Sequence, residues 1–304
     1  MGYQEIHWEI VDYQCYFLDD TGLDFRGPKP ENLQPGQYFV CLGAAQTFGC
    51  LCPKPYPSLL QEKLQFPTLN LGYGGAGPYF FLKHEELWKY INQAKFVIVQ
   101  VMSGRSESNS LFDSGGLEYL TRRVDGVKIG AEDAYKQLLE KDYPPNRGFV
   151  EKWRRKIVGF LTENPEVKDI INETRQNWVH NHKLLLEKIT VPKILFWFSK
   201  RKPDYRERYS SVWALFGEFP QLINQEMMNI IKPYSDDYVE CISRRGSPEL
   251  LISRFTGKPV VIDLAQDPDR QDFQQKWSRN KYYPSPEMQI DAAMALTPIC
   301  RKYL

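Results

Sequence analysis

Residues 37–78, QYFVCLGAAQTFGCLCPKPYPSLLQEKLQFPTLNLGYGGAGP, constrain the fold more than any other stretch of this chain. Tyr38-Phe39-Val40-Cys41-Leu42 is a short apolar run of the kind that forms a strand buried on both faces. It runs into Gly43-Ala44-Ala45-Gln46-Thr47-Phe48-Gly49, where small residues let the backbone turn tightly and approach a ligand. Leu59, Leu60 and Leu64 share one face of a helix predicted over Tyr56 to Leu64. Phe66 to Leu71 reads as a second buried strand, ended by the flexible run Gly72-Tyr73-Gly74-Gly75-Ala76-Gly77. Strand, turn, helix, strand and turn make a βαβ unit with two loops at one sheet edge, where open α/β sheets bind their ligands.

The rest of the chain continues the alternation. Phe96 to Met102 is the clearest buried strand, followed by Lys193 to Ser199 and Asp237 to Ser243, with a short extra strand at Val260 to Asp263. Helices are predicted at Tyr79–Ala94, Gly148–Leu161, Glu166–Ile189, Glu218–Lys232 and Ser285–Tyr303. The third of these starts at Asn164-Pro165, a cap and first-position pair. The expected fold class is α/β, a three-layer α/β/α sandwich around a five-stranded parallel sheet, with insertions. Residues 1–36, aromatic and turn-rich, read as an N-terminal extension packed on a single domain spanning 37–304. The irregular stretch at about 110–147 reads as an insertion and candidate lid around a short helix near Ala131 to Leu139.

Composition excludes several classes. At 42% hydrophobic and 25% charged residues, the profile is that of a soluble globular protein. A net charge of +1 argues against a general nucleic-acid binder. The six cysteines lack the spacing of a disulfide framework, and no CxxC pair suggests zinc, so no metal is expected. MGYQEIHWEI has no basic-then-apolar leader, and no run approaches the roughly 20 apolar residues of a membrane span. The expectation is a cytoplasmic protein with reduced thiols. The GxxxxGK[ST] loop is missing, and Gly72–Gly77 fails the dinucleotide pattern, so these glycines read as turn geometry.

Four blocks resemble the SGNH/GDSL hydrolase superfamily, from about residue 37 to the end of the chain. Gly43, Thr47 and Gly49 match the Gly-Asp-Ser-x-Thr-x-Gly block that carries the nucleophile; Asn70, Gly72 and Gly75 match Asn-x-Gly-x-x-Gly, which supplies a glycine N–H to the oxyanion hole. Gly104 alone stands for Gly-x-Asn-Asp, followed by Arg105, Ser106 and Glu107. Gln289 falls where the histidine of Asp-x-x-His is expected, after Tyr282-Tyr283-Pro284-Ser285-Pro286-Glu287-Met288. The resemblance implies a degenerate member, similar to an uncharacterised bacterial SGNH-like group linked to surface-polysaccharide gene sets. Ala45 occupies the serine's place and Ala44 its aspartate neighbour's. Alanine has no lone pair for attack, and an amide takes up no proton near neutral pH, so ordinary Ser-His ester hydrolysis is not expected.

In a parallel sheet the residues following each strand share one edge. These are Gln46 and Thr47, then Gly74 and Gly75, then Arg105, Ser106, Ser108 and Asn109, then Lys200 and Arg201, then Arg244 and Arg245. Guanidinium and ammonium groups at three strand ends predict a site for an anionic ligand, set against the alternative of a solvated basic surface. Candidate ligand-binding residues are therefore Gly43, Ala45, Gln46, Thr47, Gly74, Gly75, Arg105, Ser106, Asn109, Lys200, Arg201 and Arg245. Glu107, Glu287 and Gln289 are the weak catalytic candidates, with first-turn helix chemistry as the bland account of Glu287. His7 reads as surface, His84 near a helix start as a solvated position set against an approach to the strand edge, and His180 and His182 face different directions on one helix. Cys50 reads as buried filler, and Tyr282-Tyr283 as either a stacking surface or core.

Three functions stay in play. The leading one is a sulfo- or acyltransferase moving a group from an anionic donor, phosphoadenosine phosphosulfate or acyl-CoA, to a glycan or metabolite. The others are a non-catalytic ligand-binding pseudo-hydrolase, and a residual hydrolase using Ser106 or Ser108. No cofactor is required by the sequence, the partner is a small molecule or glycan, and oligomeric state is not legible.

Overall fold

The structure, a computed structural model, describes residues 3–31, 33–140, 165–263 and 276–304. Among them, five parallel strands form the central sheet: β1 Phe39–Gly43, β2 Thr68–Gly72, β3 Val97–Gln100, β4 Lys193–Ser199 and β5 Asp237–Ile242. The strand order is β2-β1-β3-β4-β5, with Gly43 beside Gly72, Val40 beside Val97, Ile98 beside Ile194, and Asp237 beside Ile194. The direction of winding therefore reverses between β1 and β3, and a crevice opens there beyond the strand ends.

Every residue of β1, β2 and β3 is buried, as strands covered on both faces require. Val40 and Leu42 join one apolar cluster with Phe80, Phe81, Trp178, Leu185 and Met228. Phe39 and Cys41 point the other way, to Tyr56, Leu60, Met288, Ala292 and Leu296. The alternation of a single strand thus sets two helical layers. One holds α2 (Tyr56–Leu64) and α5 (Pro286–Cys300); the other holds α3 (Pro78–Lys83) and α4 (Pro165–Lys188). This is the α/β/α arrangement expected.

Helix ends follow their caps. Ser285 accepts from the Met288 N–H to start α5, with Pro286 at the first helical position, and Asn224 likewise caps Gln225–Ile231. Two predicted helices are broken. The 79–94 stretch is α3, a single 3-10 turn at Glu85–Leu87, and Trp88–Ile91, because His84 leaves helical geometry (φ −92°, ψ 84°). His84 thus ends α3 and precedes the 3-10 turn, half-buried at the break between them. In place of Glu218–Lys232 there are helices at Val212–Phe216 and Gln225–Ile231. Gly217 ends the first, and the loop that follows contains Pro220, which has no N–H to continue a helix. The helix predicted at Gly148–Leu161 lies outside the described residues.

The 110–147 stretch, described to residue 140, contains helix Ala131–Leu139 as expected. It also holds an unforeseen antiparallel sheet of Phe112–Asp113, Tyr119–Arg122 and Lys128–Gly130. These strands are too short for a period-2 pattern to stand out. Near the start of the chain, a hairpin pairs Tyr16–Leu18 with Leu23–Phe25. Tyr13 is fully buried against Phe48, with ring centroids 4.8 Å apart.

Candidate functional site

The turn from β1 into the short helix α1, Ala45–Phe48, is braced from β3. Gln100, fully buried at the end of β3, accepts from the Ala44 N–H (3.1 Å) and the Thr47 hydroxyl (2.6 Å) through Oε1. A Cβ on Gly43 would run into both partners, so glycine is needed at that close approach. Thr47 also bonds the Tyr56 hydroxyl at 3.0 Å. Asn70 donates to the Thr47 carbonyl (3.0 Å) and accepts from the Gly72 N–H (2.9 Å), so that N–H is engaged within the chain.

Ala45 begins α1 (Ala45–Phe48) and is 5% exposed. Its methyl lies in an apolar cluster with Ile10, Val11, Tyr13, Phe48 and Leu51. The Tyr3 ring covers Gly74, where a Cβ would strike it, and stacks on His7 with centroids 5.5 Å apart. His7 is therefore not a surface residue: it is 3% exposed, bonded through Nδ1 to the Tyr13 hydroxyl at 2.9 Å and 3.6 Å from Cys50 Sγ. The N-terminal segment fills the space over both glycine turns. Periodicity could not reveal this, because the contacts are long-range.

Gln289 is fully buried, and both ends of its amide are engaged. Nε2 donates to the Gln46 carbonyl at 3.1 Å, and Oε1 accepts from the Tyr56 N–H at 2.8 Å. It ties α5 to the first turns of α1 and α2. Ser106 is buried and donates to the Gly75 carbonyl (2.8 Å). Ser108 donates to Asp113 (3.0 Å). Glu107 is 1% exposed; burial pushes its carboxyl up to about 8, held back by hydrogen bonds from Asn181 (2.7 Å) and the Tyr79 backbone. Asn109 caps the insertion's loop, accepting from Leu111 and Phe112 N–H groups and donating to Thr174 at 3.0 Å. Glu287 stands in the first turn of α5 beside Gly246 and Glu249, whose own carboxyl is pushed up to about 7, chiefly by burial.

The strand-end cations are largely engaged. The Arg105 guanidinium pairs with Glu118 (2.7 Å) and donates to the Tyr282 hydroxyl (2.6 Å). Lys200 donates to Ser247 (2.8 Å) and the Lys281 carbonyl (2.6 Å). Arg201 donates to the carbonyls of Lys202, Glu218, Pro220 and Ile223, and burial lowers it to about 10. Arg244 pairs with Glu218, and Arg245 with Asp291.

An open cleft of about 1600 Å³ lies beyond the β1/β3 crevice. Of the expected site residues, Gln46, Arg105 and Lys200 line it; Gly43, Ala45, Thr47, Gly74, Gly75, Ser106, Asn109, Arg201, Arg245, Glu107, Glu287 and Gln289 do not. Its other walls come from Glu118 and Tyr119, from Trp213 and Gln221, and from Trp277 and Tyr282. Sequence reasoning singled out only Tyr282 among these. A tryptophan in a polar setting, as in Gln275-Lys276-Trp277-Ser278-Arg279, was the signal available for Trp277. Among the described residues, no group of three His, Cys, Asp or Glu could hold a metal, and no helix is long and apolar enough to cross a membrane.

The fold and this cleft define an α/β protein with a ligand-sized crevice at its topological switch point. The family model described as a domain of unknown function (DUF6473) matches residues 1–114 and 155–256, and the chain belongs to that family. No curated protein matches it in sequence. Similar solved structures include a lipase from a goat rumen metagenome, at 10% identity, covering 86% of this chain and 96% of that one, with a TM-score of 0.40. An acetyl-xylooligosaccharide esterase from Geobacillus is 12% identical over 89% of this chain and 95% of its own, TM-score 0.39. A carbohydrate esterase family 2 enzyme from Corynascus is 8% identical over 92% and 70%, TM-score 0.38. Likenesses of this size carry no argument about activity.

Proposed function

We propose that this chain binds a small-molecule or glycan ligand in the cleft and does not hydrolyse it. The observation that carries the proposal is Gln289: both ends of its amide are tied to backbone partners, one of them Gln46 next to Ala45, which is buried in one apolar cluster with Ile10, Val11 and Tyr13. Neither a nucleophile nor a proton acceptor stands where the resembled hydrolases need them. The Gly72 N–H is engaged with Asn70, and the hydroxyl of Ser106, the nucleophile a residual hydrolase would use, with the Gly75 carbonyl.

A transferase would need an open cation to receive its anionic donor. Of the strand-end cations, Arg105 and Lys200 line the cleft; Arg105 pairs with Glu118, and Lys200 donates to Ser247 and the Lys281 carbonyl, which favours binding over transfer. The test is turnover of p-nitrophenyl acetate, together with thermal-shift assays in acetyl-CoA and phosphoadenosine phosphosulfate. We expect no turnover above a heat-denatured control and no shift with either donor. Saturable ester turnover, or a stabilising shift with product formation, would overturn the proposal.

A further inference from the structure

Resting on the binding function just proposed, the structure assigns a ligand class to the cleft: an uncharged, hydroxyl-rich molecule of the sugar type, not an anion. Gln46 and Gln221 both line the cleft and are 3% and 2% exposed. In each, the side-chain Oε1 is buried with no hydrogen-bond partner among the described residues. Gln221 is otherwise held in place, its Nε2 donating to the Tyr282 hydroxyl at 3.0 Å and its carbonyl accepting from the Gly104 N–H at 2.9 Å. A buried acceptor without a donor costs about 1–3 kcal/mol, so two of them beside one cleft call for a ligand that brings donors.

Phosphate, sulfate and carboxylate groups are acceptors when ionised, and would face these two oxygens with repulsion. The charge of Arg105, which also lines the cleft, is matched by Glu118 at 2.7 Å. Hydroxyl groups both donate and accept, and so suit the amide oxygens and the Arg105–Glu118 pair together. The cleft walls add flat apolar faces: Trp213 is 67% exposed, and Trp277 and Tyr119 also line the opening. An exposed tryptophan face beside buried amides suits the C–H face of a sugar ring, with its hydroxyls turned to the floor.

The experiment is a titration of the whole chain followed by tryptophan fluorescence and calorimetry. The probes are maltohexaose, cellohexaose and xylohexaose as neutral sugars, and oligogalacturonate and inorganic sulfate as anions. We expect saturable binding of a neutral sugar. Gln221→Leu should weaken it about tenfold, the loss of one buried hydrogen bond. Trp213→Ala, an exposed substitution that leaves folding intact, should weaken it as well. Binding of the anions alone would overturn the ligand class and leave the binding function standing. Ester turnover would overturn the binding function instead. Neutral-sugar affinity untouched by both substitutions, or silence toward every probe, would overturn the assignment to this cleft.

Discussion

Glu107→Gln should flatten the pH dependence of this protein's stability. Glu107 is 1% exposed, and burial raises its carboxyl from 4.5 to about 8 despite hydrogen bonds from Asn181 and the Tyr79 backbone. Between those values the unfolded chain has released its proton while the folded chain keeps it. Stability therefore falls as pH rises through that window, and levels off above about 8. At 1.36 kcal/mol per unit, the loss between about pH 5 and pH 8 is on the order of 4 kcal/mol. His182, fully buried and lowered by burial from 6.5 to about 3, is neutral in the folded chain but protonated below about 6.5 when unfolded, so it adds a rise in stability up to that pH, equally in both proteins. Glu249, raised to about 7, adds slope of the same sign to both proteins, so the difference between wild type and variant isolates Glu107. Glutamine keeps an oxygen to accept from Asn181 and has no proton to lose. Urea unfolding at a series of pH values is the assay: the wild type should lose stability toward pH 8, and the variant should lose several kcal/mol less. Parallel curves for the two proteins would refute the buried neutral carboxyl.

Gln289→Leu leaves the Tyr56 N–H and the Gln46 carbonyl buried without partners, and should destabilise by about 2–4 kcal/mol in urea unfolding. Arg201→Lys removes a fork that reaches four carbonyls, and should cost about 2 kcal/mol and speed proteolysis in the 217–223 loop; wild-type resistance would contradict this role. Gly72→Ala would drive a Cβ into the Phe48 backbone, so we expect a loss of about 3 kcal/mol or more, read as a lowered Tm. The pair Ala45→Ser with Gln289→His should still fail to turn over p-nitrophenyl acetate, because the seat remains covered and the Gly72 N–H remains engaged.

The βαβ unit at 37–78 was legible because fully buried strands are uniform apolar runs and their ends are marked by glycine. Lys193–Ser199 was recovered to the residue for the same reason. A helix over 218–232 is the wrong reading because a proline loop can be apolar too: Phe219, Pro220 and Leu222 are buried without helical periodicity, their backbone carbonyls held by Ser199, Arg201 and Arg175 in turn. His7, expected at the surface, is buried because Cys50, 43 positions on, closes over it together with Tyr3 and Tyr13, and nothing local announces that long-range contact.

The sequence alone determined that Ala45 carries no group able to attack and that Gln289 takes up no proton near neutral pH, whatever surrounds them. It also determined the layered α/β architecture, since strand burial and helix amphipathicity are local patterns. Only the tertiary structure decided where an opening remains. The Ala45 seat is closed by residues more than thirty positions earlier, and Arg105, read as an open cation, meets Glu118 and Tyr282. The surviving cleft gathers Gln46, Gln221 and Trp277 from three distant parts of the chain. Charge neutralisation and space filling are sums over neighbours in three dimensions, and those neighbours are chosen by the fold.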